Sequence, residues 1–339
     1  MTVDSPRSKR IPVLIIVAVI LGALVFLGFS NKQAIEDQFT IWGFTPTAEV
    51  TAVQNRLQLT GEGTTAFLAS APTLESSQRF NEQCLNVDHS DEGHVLGCFT
   101  GSRIHLFKVD DERLDGIVEV TAAHELLHAT YSRLSAGEQE QVNNELEAEY
   151  ERLKPEHPEI EERMQVYANL PHASFVNELH SVLGTEVADL SPELEEHYAK
   201  YFTSRSVILD LFESYHSVFT AIQSEATDIE AQMKELGDSI ESRSATYQTD
   251  VTQLNADILS FNERAAAGDF RTATQFASEK APLEERRVAL ETTRAQLETD
   301  VETYNGLRDR LLELDAKSQE LNRVINSGLA PAPEIEDGD

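Results

Sequence analysis

Three hydrophobic patterns succeed one another along the chain. Residues 11–29, IPVLIIVAVILGALVFLGF, form an uninterrupted apolar run without a charge. At ~1.5 Å rise per residue it spans roughly 28 Å as a helix, about the hydrocarbon thickness of a bilayer, so it predicts a membrane-spanning helix. From about 32 to 110 the pattern is mixed. Thr60-Gly61-Glu62-Gly63 reads as a turn, Thr64–Ser70 and Ile104–Val109 have the short β-branched character of strands, and Gly93 and Gly97 interrupt what lies between. Asp110-Asp111-Glu112 and Asp115-Gly116 mark a loop before a helix that carries His124-Glu125-Leu126-Leu127-His128.

Helical periodicity dominates from there. Ser135 can cap a helix with Glu138 three residues on, and Val142, Leu146, Tyr150 and Leu153 form its apolar stripe. Pro155 and Pro158 break it. A further helix reaches about Asn169, and another runs from about Ala173 to Leu183, ended by Gly184. Ser191-Pro192-Glu193 starts one more, which can run unbroken toward the C-terminal region.

The third pattern is a pair of heptad seams. Ile222, Ile229, Met233, Leu236, Ile240, Tyr247, Val251, Leu254, Ile258 and Phe261 make one. Leu283, Leu290, Leu297, Val301, Tyr304, Leu311, Leu314, Leu321 and Ile325 make the other. With Ala265–Pro282 interrupting them, the simplest reading is an antiparallel coiled-coil hairpin. A parallel homodimer is the alternative. The Pro-rich acidic end reads as a disordered tail.

The ends and the charge place this pattern. Arg7, Lys9 and Arg10 precede the apolar run, so residues 1–10 stay in the cytoplasm and the bulk lies outside it. A cleaved signal peptide would have a core of about 7–15 residues and an A-x-A-like site. This run is longer, and Gly28-Phe29-Ser30-Asn31 is not such a site. In an exported domain, Cys84 and Cys98 can close a disulfide around the Asp88–Gly93 loop. Buried free thiols are the other reading, and no C-x-x-C spacing favours a metal there. The formal charge of −32 excludes nucleic-acid binding, since such a surface repels phosphate.

The chemistry lies in the H-E-x-x-H run. On a helix the i, i+4 spacing puts His124 and His128 on one face, where two imidazoles can share one Zn²⁺. Glu125 can then reach a water on that metal. Thr121-Ala122-Ala123 before the run and Ala129 after it leave the ligands without charged neighbours, which is wrong for a solvated face. The segment resembles the zinc-metallopeptidase (zincin) signature, departing from it at Thr130, where a larger apolar residue is commoner. The metzincin pattern is excluded, because Tyr131 and Leu134 stand where it needs Gly and His.

The resemblance implies a third ligand from a later helix, as in gluzincins. Glu145, Glu147 and Glu149 are near enough in sequence, but QEQVNNELEAEYER is a charge run suited to a solvated face. Glu178 shares the Phe175, Leu179 and Val182 face, and a buried carboxylate is costly unless paired or metal-bound. The segment ELHSVLGTE also resembles a stretch of bacterial membrane-anchored proteins that carry HELLH. Glu186 is a candidate outer partner. His180 can donate to an oxyanion, replace Glu178 as ligand, or be a hydrogen-bonded structural histidine, and Tyr201 is a second oxyanion donor. A strand at Arg103–Phe107 resembles the zincin edge strand that holds an extended substrate.

The expectation is a mainly α (α+β) protein: anchor 11–29, a zincin-like domain over 30–215 with a short sheet, a coiled-coil hairpin over 216–326 and a tail over 327–339. It is expected to be a membrane-anchored, extracytoplasmic gluzincin-like Zn²⁺ peptidase. His124, His128 and Glu178 are the ligands, Glu125 is the base, and His180 is a further catalytic group. The substrate is a peptide or protein outside the cytoplasm, or a cell-wall peptide. The rival is a surface-anchored scaffold whose coiled coil binds a protein partner, its zinc site structural or degenerate.

Overall fold

The computed structural model describes residues 32–85 and 95–328. The apolar run 11–29, the tip 1–10 expected in the cytoplasm, His89 and His94, and nearly all of the predicted tail lie outside the described residues. Among those described, no helix is long and apolar enough to cross a membrane. The protein is mainly helical with one small three-stranded sheet. The chain divides into two units, residues 1–218 with 322–339, and residues 219–321.

The first unit opens with α1 (Lys32–Gly43) and α2 (Ala48–Leu57), the latter capped by Thr47, which accepts the Val50 N–H at 3.2 Å. The segment read as a turn and a strand is instead one helix, α3 (Gly61–Ala69). Thr60 accepts the Gly63 N–H at 3.0 Å, and Ala66, Phe67 and Ala69 are buried, so the cap and tertiary burial outweigh the β-branched threonines.

β1 (Thr73–Glu75), α4 (Ser77–Cys84), β2 (Gly97–Phe99) and β3 (Ile104–Phe107) follow. The strand order is β1-β3-β2, with β1 parallel and β2 antiparallel to β3. β3 therefore has both edges paired and is the central strand, not the edge strand expected at Arg103–Phe107; β1 and β2 are the sheet's edges. Cys84 and Cys98 form a disulfide, joining α4 to β2.

After a 3₁₀ turn (Glu112–Leu114) come α5 (Ile117–Tyr131), α6 (Ala136–Leu153), α7 (Pro158–Gln165), α8 (His172–Glu186) and α9 (Pro192–Tyr198). The Ser135–Glu138 capping box is present, and Val142, Leu146 and Leu153 are buried as the stripe requires. Helix α9 does not continue into the C-terminal helices. The segment after it leaves the helical path to pair with residues 58–60: Thr60 N–H reaches Tyr201 O and Thr203 N–H reaches Gln58 O, both at 2.9 Å. The next helix, α10 (Ser206–Ala266), starts only beyond this; α11 (Ala273–Ile325) follows it.

Two glycines allow close approaches to α5. Gly116 caps α5 with φ +99, a conformation that favours glycine, and a Cβ there would stand 2.7 Å from Leu211 O. Gly184 does not end α8 as expected, since the helix runs through it to Glu186. A Cβ at Gly184 would lie 2.4 Å from Leu127 Cδ1 and 2.7 Å from Tyr198 Cε1, so glycine is there for close packing against α5 and α9.

In the second unit, residues 219–266 of α10 and 273–321 of α11 bury Ile222, Ile229, Leu254, Phe261, Leu297, Leu314 and Leu321. Ion pairs link Glu225 to Arg310 at 2.7 Å, Asp257 to Arg286 at 2.6 Å and Arg264 to Glu279 at 2.7 Å, and Arg243 pairs with Asp300. The break between the helices is shorter than expected, with Pro282 inside α11, and Val301 of the predicted seam is exposed. Phe261, Phe270 and Phe276 cluster near that break.

Filling the α5–α8 contact tests this packing. Gly184→Ala should lower the free energy of unfolding by about 1–3 kcal/mol, the usual cost of overpacking, seen as an earlier urea midpoint. An unchanged midpoint would mean that α8 does not approach α5 this closely.

Candidate metal centre

Helix α5 is buried along most of its length. Ala122, Ala123, Leu126, Leu127 and Ala129 are all inaccessible to solvent. Its start is clamped by Arg56 from the last turn of α2, which donates to both Asp115 carboxylate oxygens at 2.8 Å and to Glu119 at 3.0 Å. The small residues let α8 lie close alongside, and this brings Glu178 over the two histidines.

The three side chains converge. Glu178 Oε2 lies 3.5 Å from His124 Nε2, and Glu178 Oε1 lies 3.5 Å from His128 Nε2. One ligand atom from each falls within 4.8 Å of the other two. For comparison, ligand atoms about 2.0–2.1 Å from a tetrahedral zinc stand roughly 3.4 Å apart. The imidazole planes are near perpendicular, with centroids 4.8 Å apart. The donor set of two imidazoles and one carboxylate is one that suits Zn²⁺; the two 3.5 Å separations match that spacing, while the set as a whole spans up to 4.8 Å.

Electrostatics bind the cluster together. Burial penalises the charged forms of both His128 and Glu178, yet their mutual hydrogen bond and attraction win. His128 is held above the ordinary imidazole range, and Glu178, with His124 adding to the effect, well below the carboxylate range. A cation at this point replaces the proton shared there, so metal binding and protonation compete.

Outer contacts orient the ligands. Ser181, one turn beyond Glu178 on α8, places Oγ 3.3 Å from His128 Nδ1. With Nε2 turned to the cluster, a metal bound there would leave the proton on Nδ1, placed to donate to Ser181. Glu125 is buried beside the ligands. Burial pushes its carboxyl up, while His128, His124 and the Phe99 backbone N–H pull it down. Gly97 of β2 lies directly against it: a Cβ there would be 2.8 Å from Glu125 Oε1 and 2.5 Å from Thr121 Cγ2.

The outer edge of β2 pairs with no described strand. Phe107 N–H bonds Leu96 O at 2.8 Å and Thr100 N–H bonds Arg103 O at 2.9 Å, and Cys98 is opposite His105. In an antiparallel ladder these alternate residues face β3, so Gly97 and Phe99 turn their N–H and C=O groups to the side that no described strand covers.

The remaining sequence candidates lie elsewhere. His180 is fully buried, its Nε2 2.9 Å from His197 Nε2, with Tyr131 and Tyr198 against its ring. Burial first, then His197, pulls it well below the ordinary imidazole range. This is the hydrogen-bonded, structural arrangement, apart from the three-residue cluster. Tyr201 is buried near His197 and Thr130, and burial pushes its hydroxyl up to about 12. Thr130, the departure from the signature, also donates to Leu127 O at 2.9 Å.

Glu186 pairs with Arg163 at 3.1 Å, and Arg163 in turn donates to Tyr167 OH at 3.3 Å. The Glu145–Glu149 run is not the solvated face expected throughout. Glu149 is buried, but it is held by Arg152 at 2.7 Å and by the Ser191 N–H at 2.8 Å, and Glu147 pairs with His172 at 3.0 Å. None of the three joins the cluster. Sequence reading missed Ser181, Gly97 and the Phe99 amide. Of these only Ser181 carried a signal, being i+3 from Glu178 on the same helix.

No family model matches the chain, and neither curated proteins nor solved structures yield a match.

Two tests bear on the site. Ser181→Ala should weaken zinc affinity about 10–100-fold, the usual effect of losing an outer partner. Glu178→Ala should weaken it further, and Glu145→Ala not at all, as read from metal content per chain after dialysis against graded chelator. Gly97→Ala should keep the metal but push Glu125 aside. Its zinc content should equal that of the parent while any Glu125-dependent turnover falls.

Proposed function

We propose that this chain is a zinc-dependent peptidase held at a membrane, with its site outside the cytoplasm. The observation that carries the reading is the convergence of His124, His128 and Glu178 on one point, with Glu125 buried beside them against β2.

Zn²⁺ bound by the three side chains would supply Lewis-acid activation of a water and of the scissile carbonyl. The chain's own groups do the rest. Glu125 takes a proton from the water as its oxygen attacks the carbonyl carbon, and returns it to the amine nitrogen as the C–N bond breaks. The Phe99 N–H keeps the carboxylate in place between these steps. An extended substrate adds to the outer edge of β2, paired with the outward backbone groups of Gly97 and the C=O of Phe99 and so carried past Glu125.

The Cys84–Cys98 disulfide supports an oxidising location, and the 11–29 run with Arg7, Lys9 and Arg10 before it supports the anchor. The ion pairs between α10 and α11, whose partners descend on one helix as they rise on the other, support an antiparallel coiled-coil hairpin. That hairpin is also what a scaffold would carry. A scaffold, however, has no use for a carboxylate buried beside two imidazoles.

Glu125→Gln separates the readings. The amide can neither take nor return a proton, so cleavage across a broad peptide library should fall about 10²–10⁴-fold with zinc per chain unchanged. Undiminished hydrolysis by the pure variant ends the peptidase reading.

A further inference from the structure

Helix α1 carries an apolar stripe on its outer face. Ile35, Phe39 and Trp42 follow at i, i+4 and i+7, and they are 44%, 65% and 74% exposed. The rings of Phe39 and Trp42 meet edge to face at 5.7 Å. These are among the largest apolar groups the described residues leave in water, and they fall on one line.

The opposite face of α1 is occupied. Arg133, two residues past α5, donates to Asp37 at 3.1 and 3.2 Å and also to Ala129 O and Ser70 Oγ. Thr40 and Ile41 turn toward the protein, and α1 packs on α3. The stripe therefore cannot roll inward without breaking the Asp37–Arg133 pair, and its direction is fixed relative to the helix that carries His124 and His128.

Chain length says what lies opposite. The apolar run ends at Phe29, and only Ser30 and Asn31 precede α1. Three chain steps reach at most about 10 Å. If the run spans a bilayer, the first turn of α1 starts in the headgroup layer, which is about 5–8 Å deep on each side. Tryptophan and phenylalanine on an exposed helix suit that layer, where an apolar ring meets a wet boundary.

We propose that Ile35, Phe39 and Trp42 seat α1 in the interfacial layer of a lipid bilayer, holding the metal-bearing unit against the membrane surface. The inference rests on the anchor reading of residues 11–29. The contact is apolar rather than electrostatic. Helix α1 has Glu36 and Asp37 against a single Lys32, and the chain's charge of −32 disfavours anionic lipid. Zwitterionic lipid should suffice, and salt should not reverse the contact.

Trp42 is the chain's single tryptophan and so reports directly on this face. Full-length protein would be reconstituted into phosphatidylcholine vesicles and floated on a density gradient, and its tryptophan emission compared with that in vesicles of phosphatidylcholine brominated near the headgroup end of the acyl chains. The chain should float. Its emission should be blue-shifted, iodide quenching should drop several-fold relative to detergent-free Phe39→Glu protein in the same vesicles, and brominated lipid should quench it strongly. A chain that does not float overturns both the anchor and the seating. A chain that floats while iodide still quenches Trp42 fully leaves the anchor standing and overturns the seating. Emission shielded from iodide but untouched by brominated lipid means that a second copy or another part of the chain covers the stripe, which also overturns it.

Discussion

The carboxylate of Glu178 sits between His124 and His128 at 3.5 Å from each, and most of the first unit is arranged to make that possible. A carboxylate carried on a buried helix face is costly unless something positive meets it. Here two imidazoles meet it, and their own helix, α5, is itself almost wholly enclosed. The helices must come close for this, and they do so through alanines on α5 and through Gly184 on α8, where a Cβ would strike Leu127. Arg56 fixes the start of α5 from another side. Packing and electrostatics are thus not separable at this point: loosening the α5–α8 contact moves a ligand.

The sheet serves the same centre from above. Its outer strand β2 has a glycine where it crosses Glu125, an amide at Phe99 that meets the carboxylate, and a disulfide from Cys98 that ties the strand to α4. An edge strand is normally a liability, open to pairing with any extended chain. Here the outer edge of β2 is met in part by α5 itself, through the Glu125 carboxylate at the Phe99 amide.

Much of this was legible in the sequence because it is local. The i, i+4 spacing of His124 and His128, the Ser135–Glu138 box and the lone acid on the Phe175–Val182 face all express helix geometry, which repeats every few residues. What the sequence concealed depends on contacts between distant segments. Thr64 and Thr65 suggest a strand, yet Thr60 caps a helix whose apolar side is buried. Gly184 looks like a helix end and is instead a close approach. The chain from 199 to 205 leaves its helix only because residues 58–60 pair with it. β2 lacked the length and alternation that announce a strand. His180 falls one residue short of Ser181 and two past Glu178, a rotation that turns it from the His124–His128–Glu178 cluster toward His197.

The central claim is that a zinc ion is held by two imidazoles and one carboxylate. X-ray absorption at the zinc edge, on protein purified without added chelator, reads this most directly. The account predicts about one zinc per chain, with nitrogen and oxygen neighbours at roughly 2.0–2.2 Å and the outer-shell scattering of two imidazole rings, and loss of the carboxylate contribution in Glu178→Ala. A spectrum with sulfur neighbours, a single imidazole, or no zinc retained at all would contradict it.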